Sequence, residues 1–371
     1  MTRKLHKWEF PGEMGAGTRE IVHLSEGGIA VRDGKLGVAV HGAGWVAGAH
    51  VASWLKNPRV EVVSISDIRR ERSQQLAERY GLHCAIREDY GEVLADPAVD
   101  IVDVTGPNHV HTEHGIAAAE AGKHVLVEKP IALTMEENRA LREAVAKAGV
   151  KSLAGFCLRW NPAVQTIKSL VESGAIGDLF YVETDYWHGM GPSHHAWNLH
   201  SKKKTGGSAM LLAGCHAVDA LRWLAGDEAE EVSAVSNNRK GLFEYDANVV
   251  AVVRFRTGII GKVSALFDCE MPYAFNMDLA GTEGAIRDDR VWSKKLFPGQ
   301  TGWTRCATVL PDSGDVHHHP FDGEINHFVD CILEDRESHC NLADAYRTHE
   351  LCMAIDRSIE EGGPVKLPLE V

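Results

Sequence analysis

The sequence predicts two domains, an α/β unit built on a parallel sheet and then an α+β unit built on an antiparallel one. Three observations carry this. Between Leu36 and Ala148, short apolar runs alternate with helix-patterned stretches, the mark of right-handed βαβ units. After Ala148 the alternation ends and longer strand runs appear, two of them flanking Thr257-Gly258 as a hairpin. A chain of 371 residues also favours two domains over one.

Residues 1–35 read as an N-terminal extension, with one strand pair (Glu20–Leu24 and Ile29–Arg32) and a packing or oligomer-contact role. The first domain spans 36–155. Leu36–Val40 is a buried parallel strand, and Val46–Leu55 is a helix. Val60–Ser66 is the second strand, and Arg69–Tyr80 is a helix closed by Gly81. Asp100–Thr105 is a strand, and the helix His109–Ala121 stops at Gly122. His124–Val127 is a strand, and Thr134–Ala148 is a helix ended by Gly149. The second domain spans 156–371. It holds helices over Asn161–Glu172, Ala213–Leu224, Glu324–Glu334 and Leu342–Glu361, and strands over Leu179–Trp187, Asn248–Arg256, Ile259–Phe267 and Asn276–Ala280.

Composition narrows the function. Apolar content of 44% and charged content of 25% suit a soluble globular chain. A net charge of −13 argues against nucleic-acid and membrane partners. No run approaches the ~18 apolar residues of a spanning helix, and MTRKLHKWEFPGE has no apolar signal-peptide region. Eight scattered cysteines without a C-x-x-C predict reduced thiols and a cytoplasmic address. His194-His195 and His317-His318-His319 lack helical zinc spacing. Adjacent side chains on an extended chain face opposite ways, so no metal is expected there.

The first turn, Gly42-Ala43-Gly44-Trp45-Val46-Ala47, is a G-x-G-x-x-A between a strand and a helix. Its glycines permit a tight turn and close approach of a pyrophosphate, and the helix N-terminus supplies free N–H groups. Asp67 ends the second strand, where an acid accepts hydrogen bonds from an adenosine ribose. Trp45, Val46, Ile68 and Arg69 belong to the same expected site. The cofactor is NAD in preference to NADP, because Asp67 repels a 2′-phosphate. Arg69 and Arg70 are read as a solvated first helical turn.

Two further strand ends line the same crevice, Thr105-Gly106-Pro107-Asn108-His109-Val110-His111 and Glu128-Lys129-Pro130. A lysine there points at a substrate hydroxyl beside the nicotinamide, as general acid/base or as a fixed donor. Pairing of Lys129 with Glu128 is geometrically poor, since neighbouring strand residues face opposite ways.

The stretch PNHVHTEHGIAAAEAGKHVLVEKPIALT closely resembles the Gfo/Idh/MocA oxidoreductases, and the resemblance runs from Leu36 to the C-terminus. It implies a Rossmann domain followed by a domain with a large, mostly antiparallel open sheet. The implied chemistry is NAD(P)-dependent oxidation or reduction of a sugar, glycoside or cyclitol. Lys129 becomes the catalytic lysine, with Glu128 and Pro130 shaping the nicotinamide side and Thr105, Pro107, Asn108 and His111 along the cofactor. GGSAMLLAGCHAVDALRWLAG resembles the family's second motif, D-x-G-x-H-x-x-D. His216 then moves the hydroxyl proton, and Asp219 shares its helix face. The motif's first acid falls on Leu212, a departure that leaves Lys129 and His216 to do the proton work.

Arg159, at the domain junction, is expected near cofactor or substrate. Tyr186, His188 and Trp197 are expected against the substrate, since aromatic faces stack on a pyranose. Members of the family pair through the open sheet, so a homodimer or homotetramer is expected. Two other functions fit the motifs: an NAD-retaining glycosidase that transiently oxidises a ring hydroxyl, and a non-catalytic NAD or sugar binder.

Overall fold

The computed structural model describes residues 34–308 and 319–370. The strand pair expected between Glu20 and Arg32 lies outside the described residues, as do His317 and His318.

The first unit runs β1 (Leu36–His41), α1 (Ala47–Trp54), β2 (Val60–Ser66), α2 (Arg70–Arg79), β3 (Ala85–Arg87), α3 (Tyr90–Leu94), β4 (Ile101–Val104), α4 (His111–Glu120), β5 (His124–Val127), α5 (Met135–Ala148) and β6 (Ser152–Ala154). Its six strands pair in the order β3-β2-β1-β4-β5-β6, all parallel. The order reverses at β1, so a crevice opens beyond the carboxyl ends of β1 and β4, where open α/β sheets take ligands. Every residue of β1 is buried, as a strand covered on both faces requires. Local chemistry sets the helix ends: α5 starts on a capping box of Thr134 and Glu137 and ends on left-handed Gly149.

The second unit holds α6 (Pro162–Glu172), β7 (Leu179–Trp187), the one-turn helices α7 (Trp197–His200) and α8 (Lys203–Gly206), and α9 (Cys215–Ala225). Then come β8 (Ala229–Asn237), β9 (Asn248–Phe255), β10 (Ile260–Leu266), β11 (Ala274–Gly281), β12 (Gly284–Arg287), β13 (Arg290–Ser293), β14 (Thr304–Arg305), α10 (Phe321–Leu333), α11 (Leu342–Glu361) and β15 (Val365–Lys366). These nine strands form one sheet, ordered β14-β13-β12-β11-β7-β10-β9-β8-β15. All its pairs are antiparallel except β7–β10, which is parallel.

Several elements exceed the sequence reading. The strands β3, β6, β14 and β15 are two or three residues long, too short to show a period. β8, AEEVSAVSN, has few apolar residues. It is held as a strand by β9 and by Ser358 Oγ of α11, which accepts from Ala234 N at 2.9 Å.

The two units share contacts through α11 and the loop before it. Ile131 N donates to His349 Nε2 at 3.0 Å, and Asn138 Nδ2 donates to the Tyr346 carbonyl at 3.1 Å. Ala154 N donates to the Cys340 carbonyl at 2.9 Å. The chain therefore clamps the segment following Lys129 from the second unit. Among the described residues no helix is long and apolar enough to cross a membrane.

Candidate active site

A cavity of about 790 Å³ opens at the carboxyl ends of β1, β4 and β5 and continues toward α9. One end is built from the glycine turn. Gly42 has φ +103°, and a Cβ there would lie 2.5 Å from Gly106 N, so only glycine lets the two strand-end loops meet. Thr105 Oγ1 ties them further by donating to the Gly42 carbonyl at 2.7 Å. A Cβ on Gly44 would meet nothing closer than 3.7 Å, so this backbone is open to a ligand. Asp67 accepts from Ala43 N at 3.0 Å and from Arg69 N at 2.9 Å, which fixes its carboxylate on the cavity wall. Trp45, Val46, Ile68, Arg69, Pro107 and Asn108 line the same end. Asn108 is buried there with Nδ2 lacking a hydrogen-bond partner. These features fit a dinucleotide: a cradle for phosphates, an acid for a ribose and an idle amide donor.

His111 lines the cavity between the loops, its ring nitrogens each 2.8 Å from the carbonyls of Pro130 and Gly106. Burial holds its pKa below the usual histidine value, against the pull of both carbonyls.

Below Lys129 lies a buried charge network that the sequence reading missed. His50, in α1, sits with Nδ1 3.0 Å from Asp103 and Nε2 2.9 Å from Glu128. Trp54 Nε1 donates to Asp103 at 2.7 Å. The other oxygen of Glu128 accepts from Lys129 N at 3.1 Å. Burial opposes charge on His50, but Asp103 and Glu128 outweigh it and its pKa is raised well above the usual value. Burial likewise opposes ionisation of Glu128, yet His50 and Lys129 hold its pKa low. An anionic Glu128 on a cationic His50 thus fixes the backbone that carries Lys129. The available signal was an acid inside the apolar strand Ile101–Val104 and a histidine in the apolar first helix.

Lys129 itself avoids Glu128: its Nζ donates to the carbonyl of Leu212 at 3.1 Å. Leu212 belongs to a π turn, Met210–Gly214, that leads into α9, and such turns recur at functional sites. His216, Tyr186, His188, Cys157 and His319 line this end of the cavity. The Tyr186 and His216 rings lie near parallel with centroids 6.2 Å apart, and burial raises the Tyr186 phenol pKa. Asp67 and Glu128 are the only carboxylates lining the cavity among the described residues.

Residues 36–156 match the model of an oxidoreductase family with an NAD-binding Rossmann fold. Residues 164–287 match that of the Gfo/Idh/MocA C-terminal domain. A levoglucosan dehydrogenase of Pseudarthrobacter phenanthrenivorans is 30% identical over 288 residues, 68% of this chain and 73% of the relative. The chain belongs to the Gfo/Idh/MocA family. A scyllo-inositol 2-dehydrogenase (NAD(+)) of Bacillus subtilis is 27% identical over 90% of this chain and 96% of its own length. The solved structure of a levoglucosan dehydrogenase with NADH superposes with a TM-score of 0.82 at 27% identity, covering 91% of this chain and all of that one. The chain is an NAD-binding oxidoreductase of this family.

Three residues expected in the family's site lie elsewhere. Arg159 is buried and pairs with Asp219 through Nε at 2.7 Å and Nη2 at 2.5 Å, and with Asp344 at 2.5 Å. Asp219 also accepts from Thr348 Oγ1 at 3.0 Å. Each consumes the other, and among the described residues neither lines the cavity. The helix face shared by His216 and Asp219 is real, but three residues of rise carry the acid past the cavity floor into the packing between α9 and α11. Trp197 packs edge-on against Phe243 at 4.9 Å, and its neighbours Asn198, Leu199 and His200 line the cavity instead. The adjacent rings of His194 and His195 also depart from expectation. They sit together with centroids 4.2 Å apart, because the chain turns here and is not extended.

Proposed function

We propose that this protein is a dehydrogenase or keto-reductase acting at a secondary hydroxyl or ketone of a sugar, glycoside or cyclitol, with NAD preferred over NADP. NAD, when bound, accepts or supplies the hydride at its nicotinamide. The observation that carries the reading is the placement of Lys129 and His216 on one cavity wall, continuous with the dinucleotide cradle.

Gly42, Gly44 and the start of α1 hold the pyrophosphate, and Asp67 accepts from the ribose hydroxyls. Arg70 supports the NAD preference, since its guanidinium turns away to the Ile86 carbonyl at 3.1 Å. Lys129 donates to the substrate oxygen and polarises it, its Nζ aimed by the Leu212 carbonyl. His216 accepts the hydroxyl proton during oxidation and returns it during reduction. Tyr186 and His188 stand where they can hydrogen-bond neighbouring hydroxyls. The positive charge of Lys129 at this end of the cavity, beside Tyr186, His188 and His216, favours an uncharged polyol over a cationic substrate. The relatives' names, for levoglucosan and scyllo-inositol, point to the same class. We further propose a cytoplasmic homodimer or homotetramer; the eight cysteines, all free, suit a reducing compartment.

A panel of sugars, glycosides, anhydrosugars and inositols with NAD, followed by NADH absorbance, tests the reading. Turnover is expected on at least one class. NADH binding with no turnover on any, in either direction, would sink it. Calorimetry with both reduced cofactors should show tighter binding of NADH; equal or tighter NADPH binding would overturn the NAD preference.

A further inference from the structure

His194, His195 and His200 offer ligand nitrogens that all lie within 4.8 Å of one another on the cavity wall. Local sequence alone would scatter them, since two are adjacent and the third follows five residues later. The backbone gathers them. Residues 192–196 run through turns, and Ala196 takes a left-handed conformation with φ +53° before α7 begins. A non-glycine residue seldom adopts that conformation without a surrounding structure that imposes it. It brings the His200 ring within 5.9 Å of His194 and 5.6 Å of His195, centroid to centroid.

The imidazoles are prepared as donors to a cation. His194 Nδ1 lies 2.9 Å from the carbonyl oxygen of His195. A carbonyl only accepts, so Nδ1 carries the proton and Nε2 keeps its lone pair, the arrangement that orients metal-bound histidines. His195 stacks on Trp45 at 4.0 Å, which fixes its ring. His200 Nδ1 is buried with no hydrogen-bond partner.

We propose that His194, His195 and His200 bind a divalent transition cation of the zinc class at the side of the cavity next to Trp45, with an open coordination position facing the substrate. Tetrahedral zinc with nitrogen ligands at ~2.0–2.1 Å implies nitrogens roughly 3.3 Å apart. The three nitrogens, all within 4.8 Å of one another, would draw together on binding. Three protein ligands and one open position is the coordination of catalytic and substrate-orienting zinc sites. Here the open position would take a hydroxyl of the polyol, a role that rests on the dehydrogenase reading above, whereas the cation site itself does not. A second group, Cys157, His216 and His319, lies in the same cavity and serves as the internal control.

The test is a zinc chloride titration by calorimetry on chelator-treated full-length protein, with NADH binding measured on every variant as the folding control. One zinc per chain at micromolar affinity or better is expected. His200→Ala and, as a milder variant, His200→Gln should each weaken it at least tenfold, while Cys157→Ser leaves it unchanged. Binding no tighter in the wild type than in His200→Ala overturns the proposal. So does binding that is lost in Cys157→Ser but kept in His200→Ala, which would assign the metal to the other group. Turnover on a polyol without zinc binding removes the cation site and leaves the dehydrogenase reading. Zinc binding without turnover on any polyol does the reverse.

Discussion

Lys129 is held from three directions. Its backbone N–H rests on Glu128, its Nζ on the Leu212 carbonyl, and Glu128 in turn on His50. A leucine therefore replaces the family's acid without releasing the lysine, because the aiming group is a main-chain oxygen. Lys129→Ala should reduce kcat to background on the best polyol while NADH affinity stays within about threefold, since the glycine turn and Asp67 hold the dinucleotide. His216→Ala should lower kcat by roughly two to four orders of magnitude, the usual range for a lost proton-transfer group. Steady-state kinetics with fluorescence titration of NADH reads both. Unchanged kcat in Lys129→Ala would end the mechanism.

At the level of elements, two buried networks fix the parts around the cavity. The first joins the turn Cys157–Trp160 to α9 and α11 through Arg159, Asp219, Asp344 and Thr348. Arg159→Met would leave Asp219 buried with Thr348 as its one remaining partner among the described residues. A loss of about 3–5 kcal/mol is expected, the usual result of removing one side of a buried pair. Denaturant unfolding measures it, and NADH affinity of the folded fraction should not change. A large loss of NADH affinity would restore Arg159 as a cofactor contact. The second network is His50 between Asp103 and Glu128. Its folded pKa is raised, so its contribution is complete below the unfolded value near 6.5 and is lost as pH rises through the folded value. The melting temperature gap between wild type and His50→Gln should thus be widest below about pH 6.5 and shrink at alkaline pH. A gap that grows with pH would mean that His50 is neutral in the fold.

At the scale of the whole molecule, the described residues cover one face of the nine-stranded sheet and leave the other uncovered. Thr184 of β7 donates to the Ala217 carbonyl of α9 on the covered side. On the other side Val235, Val252 and Ile260 are 72%, 52% and 53% exposed. Beside them, Lys262 lies between Glu183 at 2.9 Å and Asp185 at 2.7 Å. Apolar side chains interleaved with fixed charges suit a self-complementary contact between copies. Light scattering should report a dimer or tetramer at micromolar concentration, and Val252→Glu should shift it toward monomer. A wild-type monomer would refute the interface.

Much of this molecule is legible one segment at a time. The buried strand Leu36–His41, the glycine turn, the capped helix Met135–Ala148 and the lysine at the end of β5 each carry their signal within about a dozen residues. That is the range over which apolar period and turn chemistry act. The family motifs added Lys129 and His216, and the structure places both on the cavity wall. Tertiary structure alone decided the rest. The sequence shows Arg159 at the domain junction and Asp219 on a helix, but not that they meet each other across 60 residues. It shows a long strand at Leu179–Trp187, but not that β10 pairs with it in parallel. It shows two adjacent histidines, but not that one left-handed alanine folds them toward a third. Periodicity tells which face of an element leaves water; it does not name the partner that face will find. A polar side chain on such a face can serve chemistry or structure, and only its neighbours determine which.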